Sequence, residues 1–287
     1  MGIGELYKEV LQDLGHEVVT VDNSRPADYT SVGLALDDHP QFDATVICTP
    51  NYTHEQLACF VADHSKIVFV EKPGVESAHR WQAMVDSFPN TKFMMVKNNQ
   101  YREEMGFFRS LADASSSISI NWINYNRVPN PGSWFTNRYY SYGGVVRDLM
   151  PHLLSWVAAL NPTAYQDCNL ISYTTNQRWQ LDDLLDTAYG VVNPDGIYDV
   201  DDHANIELNV GETYYNLAAD WRSLEQDDQS ITFFGDRERR FELGLCPAVA
   251  YKSMIATAFD NIDNEEWWQD QLAQDLWIHS MMGPYEK

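Results

Sequence analysis

ATVICTPNYTHEQLACFVADHSKIVFVEKP, residues Ala44 to Pro73, decides the fold. It reads strand, turn, helix, strand. Thr45 to Cys48 is a short apolar, β-branched run, and Thr49-Pro50-Asn51 breaks it with turn chemistry. Between Glu55 and Ala62, Leu57, Ala58, Phe60 and Val61 recur at helical spacing. Ile67 to Val70 is a second buried strand, and it delivers Glu71-Lys72-Pro73 at its C-terminal end. Ligands of open parallel sheets bind at that end. A charged pair fixed there by a proline is poorly suited to packing alone, so Lys72 is the first candidate functional residue.

Working back toward the N-terminus, GELYKEVLQDLGHEVVTVD (Gly4 to Asp22) has Leu6, Val10, Leu11 and Leu14 as a helix stripe. Gly15 is the stop, and Glu17 to Val21 reads as a strand that ends at Asp22. The pattern resembles the first helix and second strand of a Rossmann unit, in which an acidic residue at that strand end accepts hydrogen bonds from an adenosine ribose. A strand of about five residues and a GxGxxG turn belong before the helix, but only three residues precede Gly4. Counting back from Gly15, Gly4 fits the third glycine. Read literally, Gly2-Ile3-Gly4 is instead the GxG, with Tyr7 at the third-glycine position, which fits the helix length less well. The missing strand has two explanations, a fragment that begins late or a truly reduced cofactor site, and the reading leans to the fragment.

Working forward, a short helix is expected around Tyr29 to Asp37, another from Ser77 to Ser87, a buried strand from Lys92 to Val96 and a helix from Glu103 to Ala112. Ile118, Ile120, Trp122 and Asn124 alternate as one face of a strand. The α/β alternation gives way near Lys97, which divides the chain into residues 1–97 and 98–287. In GGVVRDLMPHLLSWVAAL (Gly143 to Leu160), Asp148 and His152 are four apart, placing them on one helix face. Pro151 suits a first turn, so this helix is expected to begin near Asp148. Strands then dominate, clearest at Ile206 to Val210, Tyr214 to Ala218 and Ile231 to Phe234, with Phe241 to Leu243 pairing back. Helices from Ala248 to Asp260 and from Gln269 to Met282 close the chain. The fold class is an α/β Rossmann-like parallel sheet domain, N-terminally truncated, plus an α+β domain with a largely antiparallel sheet.

Composition bounds the function. The 287 residues are 44% hydrophobic and 21% charged, an ordinary globular balance with room for two domains. The formal net charge of −23 excludes nucleic acid and anionic membrane as partners, since both would repel the chain. It describes a solvated acidic surface; adaptation to a salty environment is the sharper alternative. No apolar run is long enough to span a membrane and no secretory signal is visible. Cys48, Cys59, Cys168 and Cys246 lack any framework spacing and read as reduced, buried thiols of a cytoplasmic protein. Asp201, Asp202 and His203 alternate faces if they start a strand, so they read as a solvated strand start and no metal site is expected.

TPNYTH at Thr49 to His54, EKP at Glu71 to Pro73, GGVVRDLMPH at Gly143 to His152 and DDHANIEL at Asp201 to Leu208, in that order, make the chain resemble the Gfo/Idh/MocA oxidoreductases. The resemblance covers nearly all of the chain except the absent start. It implies an NAD(P)-binding Rossmann domain, a substrate domain with an oligomerising sheet, and a homodimer or homotetramer. It places Lys72 beside the nicotinamide and the reacting hydroxyl, and Asp148 and His152 in the family's DxxxH, with the histidine as acid/base. Thr49, Pro50, Asn51, His54, Glu71, Lys72 and Pro73 would line the cofactor side with Gly4. Asp22 would hold the ribose and favours NAD, while Arg25 is placed to serve the 2′-phosphate of NADP. Tyr101, Arg102 and the aromatic loop with Trp134 would meet substrate beside Lys72, Asp148 and His152. The Lys72-Pro73 bond is a candidate for the cis form.

The chemistry agrees with these residue types. Oxidising a secondary alcohol sends a hydride to the nicotinamide and a proton to a base. Histidine titrates near neutrality and can shuttle that proton, and a nearby lysine stabilises alkoxide character. The expected substrate is a small molecule, a sugar, cyclitol or sugar derivative bearing a hydroxyl. Two alternatives stand beside it: a reductase of another class, such as a bilin or imine, and a cofactor-deficient homologue that binds without turnover.

Overall fold

A computed structural model describes residues 2–184 and 189–283. Two sheets organise it. The first is parallel, with β1 (Phe42–Ile47), β2 (Ser65–Val70) and β3 (Lys92–Met95) in the order β1-β2-β3. The crossover helices are α3 (His54–Ala62) and α4 (Ala78–Ser87). Ser77 caps α4 by accepting from the Arg80 amide. As in a parallel sheet covered on both sides, β2 is almost wholly buried. Its alternation sends Ile67 and Phe69 into one apolar cluster and Val68 and Val70 into the other.

One face of this sheet is covered by α1 (Ile3–Asp13) and by α9 (Ala248–Asp260), a helix from the far end of the chain. Tyr7 and Val10 are the fully buried positions of α1, and Tyr7 meets Tyr251 edge-on at 5.5 Å. The stripe read from Leu6, Leu11 and Leu14 therefore flanks the buried line and does not form it. α10 (Glu265–Met281) packs on α4 and β3. A boundary near Lys97 thus separates the sheets, while both C-terminal helices return to the first one.

The segment from His16 to Thr20 is extended but belongs to no ladder; only an isolated bridge between Val21 and Tyr29 is formed there. The expected strand Glu17–Val21 is corrected accordingly: a β-rich run becomes a strand only when a neighbour takes its hydrogen bonds. α2 (Val32–Asp38) follows.

The second sheet has six strands in the order β5-β6-β7-β4-β8-β9. They are β4 (Ser117–Tyr125), β5 (Cys168–Asn176), β6 (His203–Val210), β7 (Thr213–Ser223), β8 (Asp228–Phe234) and β9 (Glu238–Glu242). Every neighbouring pair is antiparallel except β4 and β7. Ile118, Ile120, Trp122 and Asn124 are the buried positions of β4, as the alternation requires. α5 (Met105–Ala112) and α8 (Met150–Leu160) pack on each other, and α8 lies against β4 and β7. Between the sheets run two short helices, α6 (Arg138–Ser141) and α7 (Val145–Asp148). No described helix is long and apolar enough to cross a membrane. The four cysteines are free and half-buried rather than fully buried.

Candidate active site

β2 places Glu71-Lys72-Pro73 at the C-terminal edge of the parallel sheet, and the Lys72-Pro73 bond is cis, as expected. Glu71 is buried, and its carboxylate is held by the Tyr7 hydroxyl at 2.7 Å and by the Lys72 amide at 3.1 Å. Burial pushes its pKa up. α1 therefore locks the EKP turn from beneath through Tyr7, a residue the sequence reading did not single out as a partner of Glu71.

The Lys72 ammonium reaches across to the Asp148 carboxylate and donates to the Asp148 carbonyl at 3.1 Å. The second carboxylate oxygen of Asp148 accepts from the Trp221 indole at 2.9 Å. Burial is the largest single influence on Lys72 and acts to lower its pKa. The Asp148 carboxylate, by charge and hydrogen bond, and Glu71 together raise it above the ordinary lysine value. The Tyr189 phenol also raises it. Trp221 and Tyr189 were not foreseen; no local pattern marks either.

Asp148 and His152 do not share one helix. Asp148 ends α7, Leu149 breaks the run, and His152 is in the first turn of α8, beside Pro151. Two carboxylate contacts hold this break in place. Asp201 accepts from the Gly144 amide at 3.1 Å and the Val146 amide at 2.8 Å. A Cβ on Gly144 would stand 1.7 Å from the Asp201 carbonyl, so the glycine is required for the approach. Asp202 accepts from the amides of Arg178 and Trp179 and from the Tyr198 hydroxyl. Both aspartates are buried. The reading of Asp201 and Asp202 as a solvated strand start is thus corrected. Among the described residues no group of histidine, cysteine and carboxylate side chains could hold a metal.

His152 stacks on Trp122 with ring centroids 5.3 Å apart, and its Nδ1 lies 3.4 Å from the Asn99 amide nitrogen. Burial first, and the Lys72 charge second, push the imidazole down to about 3. So placed, the ring is held neutral at ordinary pH, below the near-neutral titration expected of it.

A small cleft opens beside Lys72. Asn51, Lys72 and Pro73 wall it from the first sheet's side, and Phe135, Gly143, Gly144 and Asp148 from the other. Asn51 donates to the Ser141 carbonyl at 2.8 Å and so ties the two sides. Trp134 is not among the lining residues: it packs on Tyr52 with ring centroids 6.4 Å apart, and Tyr52 packs on Tyr140 at 4.9 Å. Thr49 and Thr53 pair by their hydroxyls, and Thr53 donates to the Pro50 carbonyl. His54 is wholly buried, each ring nitrogen 2.8 Å from a carbonyl, those of Gly74 and Thr49. It clamps the turn after β1 to the turn after Pro73.

Two other expected substrate contacts lie apart from this cleft. The Arg102 guanidinium is buried on Asn99 and on the carbonyls of Leu243 and Gly244. Tyr101 packs into the cluster beneath α9.

The cofactor candidates gather at the start of α1. Gly2 takes the N-cap position without a side-chain cap, and Arg25 lies close above it: a Cβ on Gly2 would be 3.2 Å from Arg25 Nη1. A Cβ on Gly4 would be 3.3 Å from the Cys48 sulfur at the end of β1. That is the close helix–strand packing the third fingerprint glycine provides. Asp22 is half-buried, and one of its oxygens accepts from Ser24 and from the Arg25 amide, which lowers its pKa. Uncapped helix amides, a nearby guanidinium and a carboxylate just beyond the Val21 bridge fit a dinucleotide's pyrophosphate and ribose.

Residues 10–98 match the model of an oxidoreductase family with an NAD-binding Rossmann fold, GFO_IDH_MocA. Over that segment the chain is similar to the Gfo/Idh/MocA oxidoreductases. Over 233 residues it is 28% identical to a protein of Amycolatopsis mediterranei described as a UDP-kanosamine synthase oxidoreductase subunit, covering 72% of this chain and 60% of that one. Over 221 residues it is 24% identical to levoglucosan dehydrogenase of Pseudarthrobacter phenanthrenivorans, covering 71% of this chain and 55% of the other. The chain thus spans less than two thirds of the length of either relative. The crystal structure of GenD2, from gentamicin A biosynthesis, in complex with NAD superposes with a TM-score of 0.73 at 16% identity, over 96% of this chain and 89% of that chain. At that identity the likeness speaks for the fold alone: a parallel sheet domain joined to a mostly antiparallel one.

Proposed function

We propose that this chain is a nicotinamide-dependent oxidoreductase of the Gfo/Idh/MocA type, acting on a secondary hydroxyl, or the matching ketone, of a sugar, cyclitol or sugar derivative. The observation that carries the reading is the Lys72–Asp148 pair at the sheet's C-terminal edge, with neutral His152 beside it. The sugar-related names of the two relatives support the substrate class.

The amides at the start of α1, with Arg25, would take the pyrophosphate, and Asp22 the adenosine ribose. Asp22 suits the free ribose of NAD, and Arg25 the 2′-phosphate of NADP, so either dinucleotide is accommodated. When bound, the nicotinamide supplies or accepts the hydride. The protein's part is to hold the reacting oxygen and move its proton. The ammonium of Lys72, oriented by Asp148, meets that oxygen and stabilises the charge that develops on it. Trp221 fixes the rotation of the Asp148 carboxylate. Phe135 and Pro73 supply apolar wall to the cleft where that exchange takes place.

Titration of the protein with NADH and NADPH, followed by nicotinamide fluorescence, tests the reading. Saturable binding of at least one is expected. No binding at concentrations on the order of millimolar, beyond the usual range of enzyme affinities, contradicts it.

A further inference from the structure

The residues around His152 decide which of its nitrogens carries the proton. Arg102 donates from Nε to the Asn99 side-chain oxygen at 3.0 Å. A guanidinium has donors only, so this contact fixes the orientation of the Asn99 amide: oxygen toward Arg102, NH₂ toward His152. Arg102 cannot release the amide, because its other nitrogens are bound to the carbonyls of Leu243 and Gly244. Asn99 is fully buried and its own amide N–H is held by the Asn98 side chain at 3.1 Å. The Asn99 NH₂, 3.4 Å from His152 Nδ1, therefore finds an acceptor there. A neutral imidazole that accepts at Nδ1 carries its hydrogen at Nε2.

We infer that Arg102 and Asn99 are positioning residues that lock His152 as the Nε2–H tautomer, so that the ring is a donor at Nε2 and has no free nitrogen to act as a base. This rests on the oxidoreductase reading for the identity of the substrate, but the tautomer itself does not. The charged groups that face His152 agree with a neutral ring: Lys72 and Arg102 oppose its protonation and outweigh Asp148 once burial is added.

The consequence is a division of labour. In reduction of a ketone the C=O bond opens, carbon gains the hydride supplied by the nicotinamide, and oxygen gains a proton from the Lys72 ammonium. In oxidation the O–H proton passes to a neutral Lys72 amine and the hydride leaves with both electrons. His152 keeps its Nε2 hydrogen throughout, which leaves the proton transfer to Lys72.

The test is the ¹⁵N spectrum of the histidine side chains, with His152 assigned by comparison with H152Q. The wild-type protein should show a protonated Nε2 and an unprotonated Nδ1 for His152 at neutral pH, with no cofactor present. N99D keeps the contact with Arg102 and offers the ring an acceptor, so it should invert the pattern and place the hydrogen on Nδ1. A protonated Nδ1 in the wild-type protein, or an imidazolium at neutral pH, overturns the inference, as does an N99D spectrum that matches wild type. Should N99D not fold, the wild-type spectrum alone decides. The result is separable from the functional reading, because failure to bind nicotinamide leaves the tautomer intact and the wrong tautomer leaves cofactor binding intact.

Discussion

The ammonium of Lys72 rests on the carboxylate of Asp148, 76 residues further along the chain. The contact joins the edge of the parallel sheet to the short helix that precedes α8, and each partner has a second tether. Glu71, next to Lys72, is bound by Tyr7, and Asp148 is bound by Trp221. The position of Lys72 is thus set by residues from both ends of the fold.

That pair sets the pH dependence. Lys72 is held above the ordinary lysine range by Asp148, so at neutral pH it is a proton donor. Alcohol oxidation needs the neutral amine and should rise with pH into the alkaline range, whereas ketone reduction should fall there. In D148N the raising charge is gone while burial remains, so the oxidative inflection should move to lower pH and the maximal rate should drop by about 10²-fold. Initial rates across pH in both directions check this; an inflection at the wild-type position in D148N contradicts it.

Asp201 is the support beneath Asp148. In D201A two buried amides, those of Gly144 and Val146, lose their acceptor. The cost should be about 3 kcal/mol, which lowers the melting temperature by on the order of 10 °C. Thermal melts of D201A and D201N check it, and D201N should recover part of the loss because its side-chain oxygen still accepts.

Acid stability should depend on the buried histidines. His279 donates from Nδ1 to the Asp275 carbonyl, accepts from the Val75 amide at Nε2, and is pushed down to about 3 by burial. His152 behaves alike, also pushed down to about 3 by burial. The folded protein therefore binds fewer protons than the unfolded chain between about pH 3 and the unfolded value near 6.5. Stability is full above that upper limit and is lost progressively as pH falls through the window. His279 alone should account for on the order of 4 kcal/mol. Urea denaturation as a function of pH should show this slope, and H279Q should make it shallower.

Lys97 and Asp275 form an ion pair with neither side chain exposed, and Asp275 also accepts from the Met95 amide at 3.0 Å. It pins α10 to the end of β3. K97M leaves a buried carboxylate unpaired and should cost about 3–5 kcal/mol. K97M/D275N removes the charge but keeps an acceptor for Met95, and should regain most of that loss. A double mutant no more stable than K97M would show that the charge itself is not what destabilises it.

Much of this was legible in the chain. The apolar runs ending at Val70 and Met95 announced the parallel sheet, and the alternation from Ile118 to Asn124 announced the second. Lys72 stood out because a charge at a parallel strand's end has a known use. What escaped was long-range. Tyr7 meets Glu71 across 64 residues, Trp221 meets Asp148 across 73, and Asn99 meets His152 across 53. No period or motif encodes such pairs. His152 was read at its solution pKa, but burial and Lys72 change it. Asp201 and Asp202 were read as solvated because carboxylates usually are, yet backbone amides bind both. The run from Glu17 to Val21 was read by propensity, which cannot supply a neighbouring strand.

The most direct test of the central claim is hydride transfer itself, with and without the lysine. Single-turnover absorbance of the nicotinamide should be followed for wild type and K72M against a panel of sugars, cyclitols and their keto derivatives, with cofactor binding verified in both proteins. The account predicts turnover of at least one substrate by wild type, and a loss of at least 10²-fold in the rate for K72M with the cofactor still bound. K72M turning over at the wild-type rate would contradict it.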